Sequence, residues 1–328
     1  MMAAAVLLVG TILVIFQKSS DPAGSRSRSR QAHSDSDVTG NDDPSQPVPR
    51  TKEEVDWWKR HDVLVERVES SDAIILPTST GNDPNENGLP QLVFLGDSIT
   101  EGWEGTSFGK IPRPHRNWKK NEDQEIRNIF ESHFVKGRWS RAAKPPLTLG
   151  ISGDQTQHVI WRLQHGEFPS SSSRNHPIMA VVLIGTNNLG NGMLPEPTLE
   201  GIETVCRTIL KQGVEHVWLS DVLPRYDTFR VQRLCPPRCH KDGTPFSSFM
   251  PAIDRVNAAL PKLVDRLNME FPSSHIAISA CGHIFRPQND TIMPDQLHPN
   301  ANGYRLWANC LSEHLTNHLK TTSSSPPQ

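Results

Sequence analysis

The sequence predicts an α/β protein built on a parallel β-sheet that helices cover on both faces. Short, continuous apolar runs recur along the chain, and stretches with helical periodicity alternate with them. Strands that are apolar throughout are typical of parallel sheets, because such sheets are buried on both faces. Polar or glycine-containing turns follow several of these runs, at the point where open α/β sheets bind their ligands.

Composition narrows the function classes. The chain has 328 residues and a formal net charge of −2 at pH 7. Nucleic-acid binding depends on a basic excess that neutralises phosphates, so we expect no nucleic-acid partner. The length allows one large domain or two small ones. Five cysteines are too few for a disulfide scaffold, and an odd number leaves at least one unpaired within the chain.

The first sixteen residues, MMAAAVLLVGTILVIF, carry no charged side chain. As a helix they would span about 24 Å, less than the ~30 Å core of a bilayer. They are therefore expected to be a signal-peptide core or a short signal anchor. No clear small-x-small cleavage site follows, which favours the anchor. The protein is expected to be membrane-anchored through this segment or secreted.

Two sequence features give opposite indications of the side of the membrane on which the rest of the chain lies. Lys18 and the arginines that follow it, up to Arg30, favour retention of the rest of the chain in the cytosol. The sequon at Asn289 favours the opposite side. A lumenal or extracellular position is the first expectation, and the cytosolic face is the alternative.

Residues 17–50 consist largely of Ser, Asp, Pro, Arg and Gly and have little to bury, which predicts a disordered stalk. The domain is predicted to span 51–319. Its first helix is expected to begin with a capping box formed by Thr51 and Glu54. The predicted apolar face of that helix consists of Val55, Trp58, Val65 and Val68.

The sheet and its covering helices are predicted from five apolar runs and four helical patterns. The runs are QLVFLG, LTLG, MAVVLIG, HVWLSDV and HIAIS. The helical patterns cover 154–165, 197–212, 249–270 and 301–319. Residues 320–328 form a Ser/Pro tail that is expected to be disordered.

Two segments interrupt this alternation, 104–145 and 225–248. Both are long for connections in an α/β domain, so each is an insertion, a lid or a disordered loop. The second contains Cys235 and Cys239, which can close a small disulfide loop in an oxidising compartment. A zinc site with His240 is the alternative, but it offers three ligands where structural zinc takes four.

Four motifs at or near strand ends carry possible chemistry. They are Gly96-Asp97-Ser98, the turn LGISGDQT with Gly153, the turn IGTNN with Asn187, and MPDQLHPNANGY with Asp295 and His298. Each alone is explained as a helix cap, a turn or a surface pair. All four motifs lie where a doubly wound sheet binds its ligands, and this shared position predicts that they form one site.

The residue types suit acyl transfer. A serine hydroxyl is a weak nucleophile, so Ser98 needs a base. His298 can serve as that base, and Asp295 can fix its tautomer. We expect Asp295 to raise the pH at which His298 titrates. The developing oxyanion needs donors, for which the N–H groups of Ser98 and Gly153 and the side-chain amide of Asn187 are candidates. No metal or cofactor is required.

In this order the four motifs resemble those of the SGNH (GDSL-type) hydrolases. GISGDQTQHVIWRLQHGEF, GTNN and the pairs Leu223-Pro224 and Val256-Asn257 are similar to the catalytic subunits of platelet-activating-factor acetylhydrolase and related bacterial esterases. The similarity covers roughly residues 52 to 318. It implies a flavodoxin-like three-layer α/β/α sandwich, the SGNH hydrolase fold, and a metal-free serine esterase.

Carried across, the resemblance implies that Ser98 is the nucleophile, that Asp295 and His298 complete the triad, and that Gly153 and Asn187 line the oxyanion hole. Segments 104–145 and 225–248 are longer than a compact member of this family needs. They are expected to shape the pocket for the acyl group or for the leaving group. The substrate, a small-molecule, lipid or glycan ester, therefore does not follow from the family. His158 and Arg162 share a helical face and are expected to be structural rather than substrate contacts.

The leading hypothesis is a carboxylic ester hydrolase that removes short acyl groups, with acetyl the expected one. A membrane-tethered polysaccharide O-acetyltransferase is the first alternative, because such enzymes also combine an anchor with Gly-Asp-Ser and Asp-x-x-His. A catalytically silent binding module is the second alternative. The glycine turn and GTNN favour the hydrolase, and the intact set of site residues argues against the silent module.

Overall fold

Five short apolar segments form the central sheet. In chain order the strands are β1 (Gln91–Gly96), β2 (Leu147–Gly150), β3 (Ile178–Leu183), β4 (His216–Ser220) and β5 (His275–Ser279). All pair in parallel, in the order β2-β1-β3-β4-β5. This is the strand order of flavodoxin-like sheets, so the predicted fold class is confirmed. The computed structural model describes residues 43–74, 89–112, 116–142, 144–169 and 176–322.

Helices connect and cover these strands. They are α1 (Val55–Asp72), α2 (Ser98–Glu101), α3 (Glu122–Phe130), α4 (Thr156–Gln164), α5 (Thr186–Gly190), α6 (Pro195–Leu210), α7 (Thr228–Gln232), α8 (Met250–Glu270) and α9 (Ala301–Thr322). Short helical turns of 3-10 or π type lie at Gly102–Glu104, Glu131–Val135, Gly137–Arg141 and Gly282–Phe285. The four predicted helical patterns correspond to α4, α6, α8 and α9.

The sheet separates two apolar clusters, as expected for strands that are buried on both faces. Side chains alternate along each strand, so Val93 and Leu95 of β1 enter one cluster and Leu92 and Phe94 enter the other. The first cluster contains residues of α1, α4, α6 and α8. The second contains residues of α3 and α9. These are the three layers of the sandwich.

The start of α1 differs from the prediction. The helix begins at Val55 after Glu54, and no side chain caps it, so the predicted capping box of Thr51 and Glu54 is wrong. Glu54 instead accepts a hydrogen bond from Arg50. The predicted apolar face is also wrong in part, because Val55 is 52% exposed. The buried face of α1 is formed by Trp57, Arg60, His61, Leu64, Val68 and Ser71.

The predicted boundary between stalk and domain at residue 51 is too late. Thr156 donates a hydrogen bond from Oγ1 to the carbonyl of Pro44, at 2.9 Å. Val48 donates from its main-chain N–H to the carbonyl of Gln157, at 3.2 Å. Residues 43–50 therefore pack against α4, and the rest of the predicted stalk lies outside the described residues.

Neither terminal prediction is tested in full. The N-terminal segment 1–16 lies outside the described residues, and within the described part of the chain no helix is both long and apolar enough to cross a membrane. At the other end α9 continues to Thr322, into the segment predicted as a tail, and residues 323–328 lie outside the described part.

Segment 104–145 builds part of the core. Trp118, Ile126, Phe134 and Trp139 are all buried in the second apolar cluster. The segment therefore belongs to the same layer as α9. Burial of these large aromatic side chains stabilises the described part of the segment against the core.

Candidate active site

The turn after β1 places Ser98 at the edge of the sheet. A Cβ at Gly96 would lie 2.1 Å from the carbonyl oxygen of Leu183 on β3, so only glycine fits there. Asp97 then caps α2, since its side chain accepts a hydrogen bond of 2.9 Å from the N–H of Ile99. Ser98 is the first residue of α2 and is largely buried.

His298 and Asp295 lie in the loop before α9, and both contact this edge. The hydroxyl oxygen of Ser98 is 2.9 Å from Nε2 of His298, and Nδ1 of His298 is 2.6 Å from Oδ2 of Asp295. Asp295 Oδ1 also accepts from the main-chain N–H groups of Leu297 and His298. This is a hydrogen-bonded relay from carboxylate to imidazole to hydroxyl, which can pass the hydroxyl proton to the ring.

Electrostatics set the protonation of the relay. Burial opposes ionisation of Asp295, but its hydrogen bonds with His298 and Leu297 outweigh burial and hold the pKa of the carboxyl below its usual range. The pKa of His298 is lowered from its ordinary value of 6.5, first by burial and then by the nearby cation of Arg116, despite the opposing effect of Asp295. Asp295 therefore raises the pKa of His298, as expected, but burial and Arg116 outweigh it, so the net pKa lies below the ordinary value.

The turn after β2 places Gly153 beside the serine. Gly153 has φ of +80°, a conformation that favours glycine. A Cβ there would lie 2.6 Å from Nη2 of Arg50. The preceding residue, Ser152, is held from the other side, because Oε2 of Glu101 accepts from its N–H at 2.8 Å and from its hydroxyl at 2.7 Å.

Asn187 lies in α5, the short helix after β3. Its side-chain Nδ2 donates to the carbonyl of Asp154 at 2.9 Å and to Oδ2 of Asp97 at 3.3 Å. The amide is therefore held between the turns that follow β1 and β2. Burial, reinforced by the charge of Asp154, raises the pKa of Asp97 to about 7, although the N–H of Ile99 opposes the shift.

These residues share one cavity of about 640 Å³. Ser98, Gly153, Asn187 and His298 line it, while Asp295 stands behind His298. Both predicted insertions contribute to its wall. Segment 104–145 supplies Ser107, Phe108, Lys110, Ile111, Pro112 and Arg116, and segment 225–248 supplies Arg230.

Sequence reasoning missed Arg116 and Glu101. Arg116 is buried and donates from Nη2 to the carbonyl of Ser98 at 3.1 Å and to the hydroxyl of Ser152 at 3.3 Å. Glu101 also accepts from the N–H of Gly109, which ties the cavity wall to the turn after β2. Glu101 lies three residues after Ser98, in SITEGW, and this closeness in sequence to the candidate nucleophile was a signal for it. No local pattern in the sequence indicated Arg116, because its contacts depend on the path of the long segment 104–145.

His158 and Arg162 serve the fold, as expected. Nδ1 of His158 accepts from the N–H of Gln155 at the start of α4. Arg162 is buried, pairs with Asp154 and Glu167, and donates to the carbonyl of Gly96 at 3.0 Å. It also donates to the carbonyl of Leu149 at 3.2 Å and thereby joins the ends of β1 and β2.

The cysteines form two disulfides, Cys235–Cys239 and Cys281–Cys310, and Cys206 is free and buried. The sequence indicated only the first pair. Because Cys235 and Cys239 are bonded to each other, the zinc alternative with His240 lacks its thiolates. Within the described residues one cluster has metal-ligating side chains in reach of one another, Cys281, Cys310 and His314, and two of its three members are likewise disulfide-bonded.

Comparison with known proteins locates the chain among its relatives. The sequence profile of the GDSL-like Lipase/Acylhydrolase family matches residues 94–306. Platelet-activating factor acetylhydrolase IB subunit alpha2 of Gallus gallus is 40% identical over 137 residues, which cover 42% of this chain and 45% of that protein. The alpha1 subunit of Pongo abelii is 39% identical over 80 residues, 24% of this chain and 32% of the subunit. The matches thus span less than half of these relatives.

Among solved structures, a member of the lipolytic protein G-D-S-L family from Veillonella parvula DSM 2008 superimposes with a TM-score of 0.45 and 14% identity. The alignment covers 69% of this chain and 98% of that one.

Proposed function

The chain belongs to the GDSL-like Lipase/Acylhydrolase family and is a carboxylic ester hydrolase, and from this premise we propose that Ser98, His298 and Asp295 remove short acyl groups, acetyl above all, from ester substrates. One observation carries the proposal. The Ser98 hydroxyl lies 2.9 Å from His298 Nε2, and His298 Nδ1 lies 2.6 Å from a carboxylate that burial does not neutralise.

In the acylation step the Ser98 oxygen attacks the ester carbonyl carbon while Nε2 of His298 accepts the hydroxyl proton. Asp295 keeps Nδ1 of the ring protonated, so that Nε2 is the free acceptor, and stabilises the imidazolium that forms. The C–O bond to the alcohol then breaks. The imidazolium returns its proton to the departing oxygen, which leaves an acyl-serine and a neutral alcohol.

The tetrahedral intermediate carries its negative charge on the former carbonyl oxygen. We assign its donors to the main-chain N–H groups of Ser98 and Gly153 and to Nδ2 of Asn187. Contacts of Asn187 support this role, because Asp154 and Asp97 hold its amide at the cavity that Ser98 lines. The longer bond, to Asp97, is the one that we propose is exchanged for the oxyanion.

Deacylation repeats the chemistry with water. His298 takes a proton from the water as its oxygen attacks the acyl-serine, and then protonates Ser98 as the acid leaves. If a sugar hydroxyl took the place of water, the same acyl-serine would give acetyl transfer. The two reactions therefore differ in the acceptor and not in the residues.

A hydrolysis screen tests the proposal. p-Nitrophenyl esters with acyl chains from C2 to C12 are offered to the purified protein, with Ser98→Ala as the control. We expect the highest kcat/KM at C2 and no turnover above background in Ser98→Ala. Hydrolysis that prefers C8 to C12 would contradict the acetyl assignment, and equal rates in the two proteins would contradict the triad. Adding an excess of a free sugar and measuring acetylated sugar separates transfer from hydrolysis.

We also propose that the domain works on the lumenal or extracellular side, membrane-anchored or secreted. Two disulfides in the described domain support this location, because they persist in oxidising compartments. Protease protection of the tagged protein in intact vesicles is the test. Digestion from the cytosolic side would overturn the proposal.

A further inference from the structure

Most arginines in the described domain pair with a carboxylate. Arg162 pairs with Asp154 and Glu167, and Arg225 pairs with Asp227 through two hydrogen bonds, of 2.8 and 2.5 Å. On the surface, Arg305 pairs with Glu125. An arginine without such a partner keeps its charge available for a ligand.

Arg230 and Arg233 pair with no carboxylate among the residues that the structure describes, and both lie beside the catalytic cavity. Arg230 lines that cavity and also a neighbouring cavity of about 520 Å³, to which Arg233 and Phe229 contribute. Arg230 therefore stands where the two cavities meet. The second cavity extends the site along segment 225–248.

Arg230 is held in place without being neutralised. Its Nε donates to the carbonyl of Gly190 at 2.8 Å and its Nη2 to Oδ1 of Asn191 at 2.5 Å. Both partners are uncharged and lie at the end of α5, three and four residues after Asn187. Partial burial and the nearby Arg225 lower the pKa of Arg230, so an anion at this point would relieve repulsion between two cations.

Arg233 and Phe229 form the outer part of the same surface. The Arg233 guanidinium lies 5.4 Å from the centre of the Phe229 ring, and Phe229 as a residue is 71% exposed. The ring of this exposed residue offers an apolar face on which an aromatic group of a ligand can stack. The guanidinium beside it can donate hydrogen bonds to a carboxylate or a phosphate of the same ligand. Asp227, the acidic residue of this cavity, is already engaged by Arg225.

We propose that Arg230 and Arg233 determine substrate specificity by binding an anionic group, a carboxylate or a phosphate, on the alcohol portion of the ester. This inference rests on the proposed function of the adjoining cavity. The acyl group faces Ser98, and the alcohol extends past Arg230 into the second cavity. An anionic leaving group would then gain binding that a neutral alcohol of the same size lacks.

Matched substrates test the specificity. 4-Acetoxybenzoate carries a carboxylate where 4-acetoxybenzamide carries a neutral amide, so the ratio of their kcat/KM values isolates the charge. We expect this ratio to fall about threefold in Arg230→Gln and in Arg233→Gln and about tenfold in the double variant; a change in kcat/KM that both substrates share cancels in the ratio. Arg305→Gln, which removes a surface cation on α9, is the control. 4-Acetoxyphenyl phosphate distinguishes a phosphate from a carboxylate preference.

Binding to an inactive protein separates this inference from the proposed function. Calorimetry on Ser98→Ala compares 4-hydroxybenzoate, the product, with 4-hydroxybenzamide. We expect tighter binding of the carboxylate, weakened by salt because exposed charges are screened, and equal binding of the two after Arg230→Gln and Arg233→Gln. An unchanged carboxylate preference in that variant overturns the inference even where hydrolysis depends on Ser98. A failure of hydrolysis with the binding preference intact would overturn the proposed function alone.

Discussion

Arg50 donates a hydrogen bond of 3.1 Å from Nη2 to the main-chain carbonyl of Ser152, the residue directly before Gly153. The two residues are 102 positions apart. The guanidinium also lies 3.4 Å from a carboxylate oxygen of Asp154, on the other side of the glycine. The turn that presents Gly153 is therefore fixed by a segment that precedes α1, and Arg50 is a positioning residue for the proposed oxyanion hole.

Replacing Arg50 by methionine should lower kcat on the order of tenfold and leave KM nearly unchanged. A hydrogen bond to a charged group contributes about 1.5–3 kcal/mol, and we expect about half of this to act on the placement of Gly153 in the transition state. Steady-state kinetics with p-nitrophenyl acetate measures both constants. Arg305→Met, which breaks the surface ion pair with Glu125, is the matched control and should behave as wild type. A normal kcat with a lowered thermal midpoint would show that Arg50 is merely structural.

Ser98 should be the one residue that a fluorophosphonate probe labels, and Ser98→Ala should lose both labelling and turnover. A hydroxyl is activated for such attack when its base is itself oriented by a carboxylate, and His298, which Asp295 holds, provides that base at 2.9 Å. Mass spectrometry of the labelled protein identifies the modified residue. Labelling of another serine, or turnover in the alanine variant, would assign the nucleophile elsewhere.

The fold could be predicted from the sequence because its strands are buried on both faces and so stay apolar along their whole length. The run that became β3, for example, has no solvent-facing position to interrupt it. The positions of Ser98 and Asn187 followed from the same pattern, since each stands just after a strand. His298 required a chemical argument, because its loop before α9 is irregular.

The features that could not be predicted from the sequence depend on contacts between segments that are far apart in the chain. Arg116 reaches the Ser98 carbonyl from an insertion whose path no local pattern specifies, and Arg50 belongs to a segment whose composition indicates disorder. The pairing of Cys281 with Cys310 was missed for the same reason, because the two cysteines are 29 positions apart. The face of α1 was misplaced because Arg60 and His61 are buried there with carboxylate partners, against the usual apolar pattern.

Activity should not depend on a metal ion. The relay of Ser98, His298 and Asp295 uses a single histidine and a single carboxylate, which suffice for a triad and are poor for a zinc centre. Dialysis against EDTA should therefore change kcat/KM by less than about twofold, a difference of ~0.4 kcal/mol. Loss of activity that zinc or another divalent ion restores would overturn the mechanism.

Replacing Asn187 by alanine should lower kcat by roughly 10²–10³-fold and change KM little, because its amide donates to an oxygen that becomes anionic only in the transition state. The alternative is that Asn187 only joins turns, since it also bonds Asp154 and Asp97. That role predicts a lowered thermal midpoint with near-normal kcat per active site. Active-site titration alongside thermal unfolding separates the two outcomes. Asn188→Ala, which removes contacts to Thr156 and Gln157 in the fold, is the neighbouring control.

The pH dependence of kcat/KM should report the neutral form of His298. Only the neutral ring accepts the serine proton, so activity is present above the pKa of His298 in the folded protein and is lost as pH falls through it. Because burial and Arg116 lower that pKa, the inflection should lie below the ordinary value of 6.5. A flat profile down to the pH at which the protein unfolds would speak against a histidine base.

Arg116→Gln provides the sharper form of this test. Removing a cation near the imidazole favours the imidazolium, so the inflection of the kcat/KM profile should move to higher pH than in wild type. The variant also loses part of its bonding to Ser98 and Ser152, which lowers the plateau but does not by itself move the inflection. The position of the inflection is therefore the measured quantity, with Arg305→Gln as the control for a distant surface charge. An inflection that stays in place would show that the charge of Arg116 does not act on His298.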